Sequence, residues 1–204
     1  ASVVNNTNAP IADQARAEFY LGDVAADQTM RAPTNLLDAL PHYQRVANEF
    51  TLSRLHSMAW GRVGDCQLQL TNFVKAGEAY RTVLLQSKTD VATRSQAGLG
   101  LARVMEEQAD VAGDTAVREV LLNQSLVQCM DIIFGDNLHS IAEKADPFWV
   151  KEAGLMAGRL IKRLGLAEQE KRLFSRLAKE LPNMPLWQNK LDALQAKMRE
   201  LEKP

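Results

Sequence analysis

Apolar residues recur three and four positions apart along most of the chain, and stretches that alternate apolar with polar residues are scarce. A period near 3.6 gathers such residues on one face of a helix, so the pattern predicts an all-α fold. Breaks in the pattern fall at Pro10, Ala32-Pro33-Thr34, Lys88-Thr89-Asp90, Ala112-Gly113-Asp114, Asp146-Pro147 and from Pro182 to Pro185. Several of these supply a Thr or Asp suited to capping the helix that follows. About nine helices of ordinary length are expected, in one continuous domain, because no low-complexity linker separates them.

The stretch "WGRVGDCQLQLTNFVKAGEAYRTVL" shows how two of these helices meet. Trp60, Val63, Gly64 and Gln67 share one face of a first helix, with Gly64 allowing close approach. After the polar break at "LTNF", Ala76, Tyr80 and Val83 share one face of a second helix, a small residue at the crossing and larger ones beside it. The spacing recurs: Ala39, Tyr43 and Val46 lie 37 positions before Ala76, Tyr80 and Val83. Upstream, Glu18-x2-Leu21-Gly22-x2-Ala25 supplies the matching first helix, with about five inserted residues around "MRAPTN". A third unit begins with Gln96, Leu99, Gly100 and Arg103 and takes "SLVQCMDII" as its second helix, across a longer insertion. A fourth, ungapped unit runs Gly154-x2-Ala157-Gly158-x2-Ile161, then Glu170-x3-Phe174-x2-Leu177, and ends at Pro182.

This pattern resembles the tetratricopeptide repeat, with two departures: Gln67 stands where an aromatic residue is usual, and Lys88 where a proline often closes the unit. The resemblance implies a right-handed α-α superhelix of about four hairpins over residues 15–182, a polar tail at 1–14 and a capping or coiled-coil helix at 183–204. It also implies a non-enzymatic scaffold that binds a peptide or protein segment on the concave face of its first helices. By register, that face carries Arg16, Phe19, Asp23, Met58, Asp65, Arg94, Leu101, Leu155 and Arg159. The Lys and Asn positions with which the family clamps a chaperone's terminal carboxylates are not matched, so that mode is not expected. The 37-residue unit and short array are also similar to bacterial periplasmic repeat proteins of envelope assembly and the Tol-Pal system, which implies a periplasmic or envelope location, with the cytoplasm as the alternative.

Charge narrows the partners. With 24 basic against 25 acidic residues the chain is nearly neutral, which does not fit nucleic acid or an anionic membrane. No apolar run reaches the roughly 18 residues of a membrane-spanning helix, so direct insertion is not expected.

No catalytic, metal or cofactor constellation emerges. His42, His56 and His139 lie in separate units without metal-ligand spacing. Cys66 and Cys129 sit in apolar helical surroundings without a neighbouring base and read as small buried hydrophobes. The glycines have neither the preceding strand nor the spacing of a phosphate-binding loop.

One further pattern competes with the groove. Trp187, Leu191, Leu194, Met198 and Leu201 are spaced four, three, four and three, as in a coiled-coil seam. A homodimer assembled through this helix is the alternative reading; a cap over the last repeat is preferred, since about two heptads is short for a seam.

Overall fold

The structure, a computed structural model, describes residues 9–27 and 35–201. Outside these lie residues 1–8 of the expected tail, the inserted segment at 28–34 and, among side chains, that of the seam residue Leu201. The described residues contain nine helices and no strand: α1 (Ile11–Asp27), α2 (Asn35–Glu49), α3 (His56–Gln69), α4 (Phe73–Leu84), α5 (Val91–Val111), α6 (Thr115–Phe134), α7 (Pro147–Arg163), α8 (Ala167–Glu180) and α9 (Pro185–Leu201). The fold is all-α.

Helix starts follow the punctuation. The Pro10 carbonyl accepts from the N–H groups of Asp13 at 2.9 Å and Gln14 at 3.1 Å, so residues 11–14, expected in the tail, form the first turn of α1. Asp90 accepts from the Thr93 N–H at 2.9 Å ahead of α5. Asp114 accepts from the N–H groups of Ala116 and Val117 at 2.7 and 3.1 Å, and Asp146 from Phe148 at 2.8 Å with Pro147 opening α7. Each bond satisfies one of the amides that a helix start leaves without an intrahelical partner. Gly135 ends α6 with a φ of 82°, a left-handed conformation that glycine adopts without a Cβ penalty.

The chain divides into two compact units, Ala1–Glu107 and Gln108–Pro204. Their boundary falls inside α5, where the sequence offers no break. In the first unit α1 packs on α2, α2 on α3 and α3 on α4; in the second α6 packs on α7, α7 on α8 and α8 on α9. The repeated positions form the cores. Ala39, Tyr43 and Val46 are buried, as are Ala76, Tyr80 and Val83, and in the second unit Cys129, Ile132, Phe174 and Leu177.

Glycine decides how closely the helices approach. A β-carbon on Gly64 of α3 would lie 2.6 Å from Cε1 of Tyr80 on α4, and one on Gly22 of α1 would lie 2.6 Å from the same atom of Tyr43 on α2. Gly158 meets the Phe174 ring at 2.8 Å in the same way. Gly61, one turn earlier on α3, has nothing within 4 Å of where its β-carbon would stand, so the close approach belongs to Gly64.

One local expectation changes. The insertion ahead of "SLVQCMDII" is itself helical: α6 starts at Thr115, with residues 115–120 exposed and Leu122, Ser125 and Cys129 buried further along. Both cysteines are free and buried, and burial raises the Cys66 thiol to about 11, which keeps it protonated near neutral pH.

Candidate functional site

A concavity of about 660 Å³ opens between α1, α3 and the segment that precedes α3. Arg16, Phe19, Tyr20 and Asp23 come from α1, Leu52 and Arg54 from the connecting segment, and Met58 and Arg62 from α3. Four of the nine groove positions read from the sequence, Arg16, Phe19, Asp23 and Met58, are thus brought together. Phe19 forms the buried floor and packs edge-on to Tyr43, with ring centroids 5.5 Å apart. Around it, Leu52 is fully exposed at 99%, Tyr20 at 59% and Met58 at 40%. An aromatic and two aliphatic side chains left open beside three arginines form the amphipathic surface that adaptable recognition of a polypeptide uses.

The electrostatics beneath this surface are tightly paired. Arg62 lies 3.6 Å from Asp23 and 3.6 Å from Asp65. Tyr43 donates to Asp23 at 2.7 Å, Tyr80 donates to Asp65 at 2.7 Å, and Gln96 reaches the second Asp65 oxygen at 3.3 Å. The result is a ladder from α2 through α1 and α3 to α4. Desolvation raises the Asp65 carboxyl above its usual range against the opposing pull of Tyr80 and Arg62. Burial, then the hydrogen bond to Asp23, pushes the Tyr43 phenol far up; burial and the Asp65 charge do the same to Tyr80. Asp23 and Asp65 are thus engaged by the tyrosines and by Arg62, and the lining holds three arginines against the single carboxylate of Asp23.

Other expected groove residues lie elsewhere. Arg94 is 1% exposed; its guanidinium donates to the Thr89 carbonyl, back over the start of its own helix. Leu101 is buried in a core with Ala76, Tyr80 and Val83. Neither side chain is presented to a partner, because the face of α5 assigned to the groove is covered by neighbouring helices. Leu155 and Arg159 belong to a separate cleft in the second unit. Along α9, Trp187 is wholly buried and stacks on Phe174 at 6.1 Å, where it also meets Gly154, and Leu191 is buried with it. Of the seam, Leu194 and Met198 stay half-buried.

Tyr20, Leu52, Arg54 and Arg62 were not legible as site residues. Leu52 sits in a turn outside helical register, and Arg62 lies off the apolar stripe that marks the first helix of its hairpin. Glu18, read as a packing position, is a buried carboxylate held by His42 at 2.7 Å and by the Arg45 guanidinium. Such pairings offset the cost of burying a charge. Among the described residues no group of His, Cys, Asp and Glu could hold a metal ion, and no helix is long and apolar enough to cross a membrane. Compared with protein families and with curated proteins, the chain matches none.

Proposed function

We propose that this chain is a non-enzymatic interaction scaffold built from tetratricopeptide-like helical hairpins, and that it binds a peptide or protein segment in the groove between α1 and α3. The observation that carries this reading is the open cluster of Tyr20, Leu52 and Met58 beside Arg16, Arg54 and Arg62, over a floor already closed by Phe19. Recurrence of the Ala-x3-Tyr-x2-Val face and of glycine against tyrosine supports the hairpin type, since each unit buries its apolar side against a neighbour. Self-assembly through α9 is the weaker reading, because Trp187 and Leu191 are spent on packing within the unit.

Crosslinking in the native host with a photoreactive residue at position 52, followed by mass spectrometry, tests it. The expected product is a crosslink to another protein that Met58→Asp abolishes while helix content is kept. Crosslinks only to a second copy of this chain, or crosslinks unaffected by Met58→Asp, overturn the assignment.

A further inference from the structure

The second unit carries its own open cleft, of about 640 Å³, along α7, α8 and α9. Leu155 of α7, Leu194 of α9 and Phe174 of α8 give it an apolar lining. Arg159, Lys162, Lys190 and Lys197 stand around them, against the single carboxylate of Glu170. The whole chain carries a net charge of only −1, so four cations against one anion is a local concentration of charge rather than a reflection of composition. A cleft lined by one sign of charge focuses its field outward and raises the local concentration of the opposite sign. Lys190 lies over the Phe174 ring, 5.7 Å from its centroid, which ties one of these charges to the apolar lining.

We propose that this cleft docks an acidic amphipathic protein segment, with apolar side chains entering between Leu155 and Leu194 and Asp or Glu residues meeting Lys162, Lys190 and Lys197. Lining contributed by three helices, with Leu155, Phe174 and Leu194 between basic residues, favours a polypeptide with apolar side chains at fixed spacing over a lipid surface. Charge argues against a second copy, because two copies joined symmetrically across this face set each basic wall beside its equivalent. The site lies wholly in the second unit and does not depend on the α1–α3 groove; variants of either surface test it without touching the other.

The test is fluorescence anisotropy on the full chain with a labelled peptide of about 15 residues, carrying Leu at helical spacing and Glu elsewhere, so that an apolar stripe forms when it docks as a helix. A counterpart with Lys for Glu and phosphatidylserine vesicles serve as the other probes. The Glu peptide is expected to bind, more weakly as salt rises, and the Lys peptide is not. Lys190→Glu combined with Lys197→Glu should weaken the Glu peptide about tenfold or more and create binding of the Lys peptide, a gain that a misfolded variant does not produce. Equal binding of both peptides, no binding of the Glu peptide, indifference to the double reversal, or binding to vesicles alone each overturns the proposal.

Discussion

The ring of Tyr80 occupies the place where Gly64 would carry a side chain, with Cε1 only 2.6 Å from the position of its missing β-carbon. The same ring meets Gly100 on α5. Replacing Gly64 or Gly100 with Leu should therefore destabilise the protein by about 1–3 kcal/mol through overpacking. Gly61→Ala is the control: with open space at its β-position, it should stabilise by roughly 0.5–1 kcal/mol, the ordinary gain of alanine over glycine inside a helix. Urea denaturation of the three variants checks this, and three shifts of one sign would sink the packing assignment.

Tyr43 and Tyr80 each donate to a carboxylate from within a core. Tyr43→Phe and Tyr80→Phe keep the ring and remove the donor, so each should cost about 1.5–3 kcal/mol, the range for hydrogen bonds to charged groups. Thermal melting of both variants reads it; if neither differs from the parent, the ladder contributes nothing to stability.

Asp90 tests a cap through pH. Burial pushes its carboxyl up, but hydrogen bonds from the backbone and hydroxyl of Thr93 outweigh that and hold it below its usual range. A carboxyl depressed in the folded state adds stability that is present above its unfolded pKa and is lost as pH falls through the folded value. Asp90→Ala should thus cost about 0.5–2 kcal/mol at neutral pH, and the gap to the parent should close once acid titrates the carboxyl, below about pH 3.9. A gap in melting temperature that persists unchanged well below about pH 3.9 would contradict the assignment.

On α9, stability and assembly should separate. Trp187→Ala removes a wholly buried ring and should cost about 3–5 kcal/mol. Leu194→Asp with Met198→Asp should leave the molar mass from light scattering unchanged over a range of concentrations, since Trp187 and Leu191 of the same stripe are already spent on packing within the unit. A parent whose mass falls on dilution, and falls further with the double variant, would instead make α9 an assembly surface.

The helix boundaries could be read because their causes are local. Asp90, Asp114 and Asp146 each bond amides two or three positions along the chain, and Pro147 and Pro185 are the first residues of their helices. The tyrosine faces could be read because their spacing repeats. What a single sequence does not carry is which distant side chains meet. Glu18 finds His42 and Arg45 on another helix, and Arg94 turns back to its own helix start; register alone placed that arginine on an open face. The division at Glu107 is hidden for a different reason: it reflects how densely distant segments touch, while α5 itself runs through without a residue that marks it. For the site, register found Arg16, Phe19, Asp23 and Met58, all helical, and missed Leu52 and Arg54, whose place is set by a turn.

Because one ring from α4 rests against glycines of both α3 and α5, none of those three helices can open without exposing the aromatic surface shared with the other two. The junction behaves as a single cooperative element, in which local fraying is coupled to the loss of the whole contact. Amide protons around Gly64, Tyr80 and Gly100 should consequently exchange with solvent at one common free energy of opening, while those in the exposed first turns of α6 exchange early and on their own.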